Sequence, residues 1–143
     1  MVGDAARKRY THLMTELEAV YHEAAWRLGL SDSEMLVLYT VCHRGEMCLL
    51  NDITSSPSIS KQMIDSALRK LETEDIVYLE SMGVRKKAVC LTVKGKEFAQ
   101  NTVYKLQEIE NEIFYSWTQI ERIAFFELTQ KYLTSFRNKV KEL

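Results

Sequence analysis

A segment in the middle of the sequence combines an apolar helical stripe with polar and basic residues. Ile64, Leu68 and Leu71 recur at helical spacing and predict the inner face of a helix. Ser60 is a good N-cap, so the helix is predicted to run from there to about residue 74. Gln and Lys near the start of a helix can contact base edges in duplex DNA, and the helix N-terminus favours a phosphate. The candidate DNA-contacting residues of this helix lie off the stripe: Ser60, Lys61, Gln62, Asp65, Ser66, Arg69 and Lys70.

A second basic group follows, between two short segments rich in β-branched and apolar residues. Residues 76–80 and 88–91 fit two strands, and residues 81–87 fit the tip of a β-hairpin. Arg85, Lys86 and Lys87 at this tip can contact a phosphate or the minor groove. Any surface helix has a solvated polar face, and basic residues often keep a sheet edge soluble. The helix and the hairpin together favour nucleic acid.

The charge distribution agrees with this interpretation. The whole chain has a net charge of −1, but residues 58–96 carry 8 basic and 5 acidic side chains, which makes +3. Residues 1–57 carry 5 and 8, and residues 97–143 carry 6 and 7, so both flanks are negative. A local positive face is what phosphate contact requires.

Helices are predicted on both sides of this segment. Apolar residues at helical spacing indicate a first helix over 5–28, which Gly29 ends. Ser31 and Glu34 form a capping box that begins a second helix, which Gly45 ends. Residues 47–49 fit a short strand, residues 50–56 a short helix and residues 57–59 a turn.

The end of the chain is predicted to be helical as well. Thr92 caps one long helix that continues past residue 109, and Thr118 with Glu121 forms a capping box that starts a last helix. The fold class is therefore mainly α with a small β-hairpin wing: a winged helix-turn-helix with long N- and C-terminal helices. We expect a single domain over 1–143, with a winged lobe at 30–92 and dimerisation helices at 5–28 and 93–143.

The last helix is apolar on more than one face. A second chain that packs the first and last helices together would cover these residues and give a two-fold homodimer; a wider core within one chain is the alternative. The residues concerned are Ile120, Ile123, Ala124, Phe125, Phe126, Leu128, Leu133 and Phe136.

The sequence resembles the multiple-antibiotic-resistance regulator (MarR) family of bacterial transcription factors over nearly its whole length. The segment Asp52-Ile53 and the run Ile59-Ser60-Lys61-Gln62 fit the helix-turn-helix of the family. The run 67–72, Ala-Leu-Arg-Lys-Leu-Glu, fits the end of its recognition helix. The run 89–95, Val-Cys-Leu-Thr-Val-Lys-Gly, fits the join between its wing and the following helix.

Three positions depart from the family pattern. Asp75 stands where the family often has a left-handed glycine, and Asp tolerates that conformation better than most residues. Gly83 replaces the aspartate that often precedes the wing arginine, here Arg85, so this arginine lacks its usual acidic neighbour. Pro57 replaces an apolar residue and is expected to shorten the preceding helix.

The resemblance implies a sequence-specific transcriptional regulator, a repressor, that binds a pseudo-palindromic operator in duplex DNA as a homodimer. It also implies a cleft for a small aromatic or amphipathic effector. Trp26, Tyr39 and His43 are the candidate ligand-binding residues, and ordinary interface packing of these three is an equally open interpretation.

Other chemistry has little support in the sequence. No GxSxG, Walker, GxGxxG or HExxH motif occurs, so no catalytic residues and no cofactor are expected. The histidines have no metal-ligand spacing, and Cys42, Cys48 and Cys90 are expected to be buried, inert thiols. No membrane segment or signal peptide is recognised, which predicts a cytoplasmic protein. Two alternatives stay open: a winged-helix protein-interaction module without DNA binding, and the dimerisation domain of an enzyme.

Overall fold

The structure is a computed structural model that describes residues 2–55 and 59–143. It contains two compact units, of which the first runs through Leu106 and the second covers Gln107–Leu143. The predicted end of the short helix at Ser56 and the turn at Pro57 and Ser58 lie outside the described residues.

The described residues form helices with one small sheet, which confirms the predicted fold class. None of these helices combines the length and the apolar character that crossing a bilayer requires. In chain order the elements are α1 (Val2–Arg27), α2 (Asp32–His43), β1 (Met47–Leu49), α3 (Leu50–Thr54), α4 (Lys61–Thr73), β2 (Val77–Ser81), β3 (Lys87–Leu91), α5 (Val93–Gln100), α6 (Val103–Ser116) and α7 (Gln119–Val140).

The predicted start and stop signals around α2 are confirmed. Gly29 has a left-handed φ of 75°, which lets the chain leave α1 without a side-chain clash. The hydroxyl of Ser31 accepts a hydrogen bond from the Glu34 amide, and the Glu34 carboxylate accepts one from the Ser31 amide. This reciprocal pair satisfies two donors that a helix start leaves without partners.

The three strands form an antiparallel sheet in the order β1-β3-β2. Cys48 of β1 is opposite Val89, and Cys90 of β3 is opposite Met47, so the two cysteines lie on adjacent strands. Because they are one position out of register, their side chains point to opposite faces of the sheet. They cannot form a disulfide in this arrangement.

The core of the first unit lies between α2, α4 and the sheet. The inner face predicted for α4 is confirmed, since Ile64, Leu68 and Leu71 are all buried. The largest fully buried side chains of this unit come from every layer: Leu38, Ile53, Ile64, Leu71, Val37, Val41, Val89 and Val103.

The residues that follow the sheet hold the end of α4. Thr92 Oγ1 donates to the Asp75 carbonyl at 2.5 Å and, as the N-cap of α5, accepts from the Gly95 amide at 2.8 Å. Lys94 Nζ donates to the Glu74 carbonyl at 2.9 Å. Asp75 itself has a φ of 60°, which confirms the left-handed conformation expected there.

Gly95 permits close backbone contact at this join. A Cβ atom at this position would lie 1.9 Å from the Ile76 carbonyl oxygen, far inside any allowed contact. The glycine is therefore required by packing against the backbone, and not by a special dihedral angle.

The prediction of one long helix after Thr92 is wrong. The helix α5 ends at Gln100, Asn101 and Thr102 form a turn, and α6 begins at Val103. Asn101 Nδ2 donates to the Glu97 carbonyl at 3.0 Å, and Thr102 Oγ1 donates to the Phe98 carbonyl at 2.8 Å. Such side-chain bonds compete with the helical ladder, and they interrupt the helix without a glycine or proline to mark the place.

The second unit contains a helical hairpin held at its turn. The predicted capping box of Thr118 and Glu121 is present, and its hydrogen bonds hold the pKa of Glu121 below its usual value. Arg122 Nη1 donates to the carbonyls of Phe114 and Trp117, at 2.9 Å and 2.6 Å. The arginine thereby satisfies carbonyl groups that the end of α6 leaves without a helical partner.

Candidate nucleic-acid interface

The exposed face of α4 carries most of the predicted DNA-contacting residues. Ser60 caps the helix by accepting a hydrogen bond from the Met63 amide at 3.2 Å. Lys61, Gln62, Ser66 and Arg69 are exposed, whereas the opposite face of the helix is buried in the core. The sequence pattern therefore placed these side chains correctly on the open face.

Lys70 differs from the other predicted contacts. Its Nζ lies 3.2 Å from the carboxylate of Glu34, which is buried. A buried carboxylate needs a counter-charge to offset its lost hydration. Lys70 thus connects α4 to the start of α2, a pairing that no local pattern in the sequence indicates.

The wing is a tight hairpin with an exposed basic tip. The amide of Met82 donates to the Lys86 carbonyl at 2.9 Å, which closes the loop between β2 and β3. Gly83 has a φ of 121° and Arg85 a φ of 62°, so two residues of the tip lie in the left-handed region. Arg85, Lys86 and Lys87 are all exposed, as the predicted contact with a phosphate or the minor groove requires.

A cleft joins the wing to the start of α4. It has a volume of about 560 Å³. Its wall brings together four basic side chains, one carboxylate, the last residue of β1 and part of α3: Lys61, Arg85, Lys86, Lys87, Asp65, Leu49, Leu50, Asn51 and Thr54. Lys61 at the start of α4 and the three basic residues of the wing therefore belong to one surface, which we call the basic cleft.

The cations of the basic cleft are available to a ligand. Across residues 2–55 and 59–143, no ion pair involves Lys61, Arg85, Lys86 or Lys87. Four positive charges without such a partner raise the positive potential around this concave surface, and this potential attracts an anion.

The sequence patterns did not predict three further features of the candidate interface. Met63 is 53% exposed on α4 although its apolar character suggested burial, and Val84 is 90% exposed at the wing tip. Asn51 and Thr54 line the basic cleft from α3. The only sequence signal for Met63 was its position off the Ile64 stripe.

The cysteines are buried, as expected. Burial is the main cause that raises the thiol pKa of Cys42 and of Cys48 to about 11. At neutral pH both thiols therefore stay protonated, and the thiolate is the reactive form. Among the described residues, no three His, Cys, Asp or Glu side chains are grouped so that they could hold a metal ion.

Two of the three predicted ligand-binding residues lie together. The rings of Tyr39 and His43 are stacked one helical turn apart on α2, with centroids 6.4 Å from each other. Trp26 lies near the end of α1 and is 74% exposed. A ligand at these residues stays a prediction.

The two longest helices each carry an apolar stripe at the surface. On α1, which has a single buried residue, the stripe is 40% to 60% exposed: Tyr10, Leu13, Met14, Leu17, Val20 and Tyr21. On α7, which has none, it is 44% to 55% exposed: Phe125, Phe126, Tyr132, Leu133, Phe136 and Val140. Phe126, Leu133 and Val140 repeat every seven residues, the spacing of a helix–helix seam.

Solved structures of transcription regulators share this architecture. A MarR family regulator from Neisseria meningitidis is similar over 94% of this chain and 96% of its own, with a TM-score of 0.79 and 18% identity. The chain has the MarR fold. Staphylococcus aureus MepR in a complex with DNA is similar over 90% of this chain and 96% of its own, with a TM-score of 0.65 and 17% identity.

A third solved structure extends the comparison. Sco3205, a MarR family transcriptional regulator from Streptomyces coelicolor in complex with DNA, covers 92% of this chain and 86% of its own. Its TM-score is 0.70 and its identity 16%. No family model and no curated protein matches the sequence. The MarR fold is thus recognised through three-dimensional similarity at sequence identities of 16% to 18%.

Proposed function

We propose that this chain is a MarR-family transcriptional regulator that binds duplex DNA in a sequence-specific manner. The observation that carries the proposal is the basic cleft, which lies between the wing and the N-terminus of α4. Its four cations form no ion pair with any residue of the described ranges 2–55 and 59–143. A phosphate backbone presents the matching charge, and contacts of this kind supply most of the affinity of DNA-binding proteins.

In this proposal α4 enters the major groove and the wing contacts the flanking backbone. Lys61, Gln62, Ser66 and Arg69 are exposed on the face of α4 that would meet base edges. The wing cations would hold the protein in register without reading sequence. Two of the similar solved structures are complexes with DNA, which supports this use of the same fold.

The regulator is proposed to act as a homodimer. A long helix with almost no buried residue is marginally stable in water by itself, because its stability comes mainly from packing an apolar face. The stripe on α1 and the stripe on α7 each offer such a face, and a second copy of the chain carries the same two stripes. A two-fold dimer would place two copies of α4 at half-sites about one DNA turn apart.

Regulation by a small effector at Trp26, Tyr39 and His43, repression as the outcome and a cytoplasmic location complete the proposal. The stacked pair of Tyr39 and His43 offers a flat aromatic surface with a polar edge. These parts rest on the resemblance to MarR regulators.

The test is selection of random duplex DNA by the purified protein, followed by binding of the winner over a series of salt concentrations. We expect a two-fold symmetric site whose affinity falls steeply as salt rises. The Gln62→Ala variant should retain salt-dependent binding and lose selectivity at one position of each half-site. Enrichment of no sequence, together with weak binding, would favour the protein-interaction module instead.

A further inference from the structure

One residue of the basic cleft has the wrong charge for a surface that only binds phosphate. Asp65 is half-buried and lies one helical turn after Lys61, on the wall that faces the wing cations. Among the residues that the structure describes, it has neither an ion pair nor a side-chain hydrogen bond. Its carboxylate is therefore left open to whatever occupies the cleft.

An unpaired carboxylate at this position acts against phosphate binding. A negative group beside the DNA backbone repels it, so it lowers affinity for every DNA sequence alike. The cations around it would reduce this repulsion and would not remove it. A favourable contact between this side chain and a base would offset the remaining repulsion.

The chemistry of a carboxylate restricts what that base can be. An ionised carboxylate accepts hydrogen bonds and donates none. In the major groove, cytosine presents only its N4 amino group, which is a donor, whereas guanine presents two acceptors and thymine one. Adenine presents its donor beside an acceptor, which would face the second carboxylate oxygen. Cytosine is the base whose edge fits best.

We propose that Asp65 reads a cytosine in each half-site of the operator and rejects guanine at that position. This inference rests on the proposed function, since it requires α4 to lie in the major groove. Asp65 would then be a specificity residue that lowers general affinity for DNA and raises discrimination between sequences.

The experiment is the same duplex selection carried out in parallel on the parent protein, Asp65→Asn and Asp65→Ala. The parent should prefer cytosine by at least about fivefold at one position of each half-site. The alanine variant should lose that preference. The asparagine variant should change it to adenine, because an amide can donate to N7 and accept from N6. Asparagine has nearly the shape of aspartate, so this variant keeps the test valid if alanine disturbs the fold.

A matched control separates base reading from a general effect of charge. Glu72 is exposed on the same helix and does not line the basic cleft. Glu72→Gln removes one negative charge, so it should tighten binding to random DNA slightly, as the Asp65 variants do. It should leave the base preferences of the parent unchanged.

Two results would overturn the inference, and they differ. If the parent selects a symmetric site and both Asp65 variants select the same site with equal preferences, Asp65 does not read a base and the proposed function stands. If the parent shows no selection and no salt-dependent binding, the proposed function fails and the role of Asp65 fails with it.

Discussion

The winged lobe buries a core of apolar side chains, whereas the two long helices leave their apolar stripes exposed. In the lobe, Val37, Leu38 and Val41 of α2 are each 0% exposed. On α7 no residue is buried, and on α1 only Ala25 is. The lobe thus has a core of its own within one chain, whereas each long helix leaves its apolar stripe at the surface.

Basic residues show a parallel contrast. On α1, Arg7 and Lys8 both pair with Asp4, one turn or less away. In the basic cleft of the lobe, four cations have no such partner within the described residues. The apolar stripes are suited to another protein surface and the cleft to an anion, which are the two partners that the proposed function requires.

The largest effect that tests this contrast is a core truncation in the lobe. Leu38→Ala removes a fully buried side chain, and we expect it to lower the free energy of unfolding by about 3 kcal/mol. Chemical denaturation at several protein concentrations would measure it. The loss should be the same at each concentration, because this core lies within one chain. A concentration-dependent loss would show that the lobe also needs a partner.

A charge in the stripe of α7 should have the next largest effect. Leu133→Glu places a carboxylate in the proposed helix–helix seam. We expect the free energy of dimer association to become less favourable by about 2 kcal/mol or more. Sedimentation velocity over a dilution series would measure it. Asn138→Glu, at an exposed position about 140° round the helix from Leu133 and opposite the stripe, is the matched control and should dimerise like the parent. Equal behaviour of the two variants would contradict the seam.

Removing one cation of the basic cleft should have a more moderate effect. Lys61→Ala should weaken DNA binding by roughly 1 kcal/mol and lower the slope of log affinity against log salt by about 1, since one phosphate contact is lost. Fluorescence anisotropy at several salt concentrations would measure both. Lys105→Ala changes an exposed lysine of α6 outside the cleft and should leave the slope as it is. An unchanged slope for Lys61→Ala would remove this residue from the interface.

Alkaline pH should weaken the lobe through its cysteines. The thiols of Cys42 and Cys48 have pKa values near 11 in the fold, against 9.0 for an ordinary thiol. Their contribution to stability is complete below pH 9 and is lost as pH rises from 9 towards 11, because only the unfolded chain then ionises freely. The free energy of unfolding of Cys42→Ala should depend less on pH over this interval. An identical pH dependence would show that other groups cause the loss.

The smallest predicted effect is a gain. Asp75 has a φ of 60°, so Asp75→Gly should raise the free energy of unfolding by about 0.5 kcal/mol through relief of backbone strain. Thr73→Gly, at the last residue of α4, is the control and should lower stability, because glycine relieves no strain at a helical position. Thermal unfolding of the two variants would compare them. A loss of stability in both would mean that the Asp75 side chain matters more than its backbone.

Much of this protein was determined by local sequence patterns. Ser31 with Glu34 and Thr118 with Glu121 predicted two helix starts, and both capping boxes are present. The stripe of α4 and the basic hairpin were also predicted from spacing alone. These features depend on residues within a few positions of each other, so short-range sequence patterns are sufficient to predict them.

Only the tertiary structure decided which distant residues meet. The pairing of Lys70 with Glu34 spans 36 positions, and the basic cleft joins α3, α4 and the wing from three separate segments. Gly95 is needed because the Ile76 carbonyl lies against it, a contact that spacing does not reveal. The type of a side chain determines which interactions it can form. Its partner depends on how the helices and strands pack across the core, and this packing is a property of the whole folded chain.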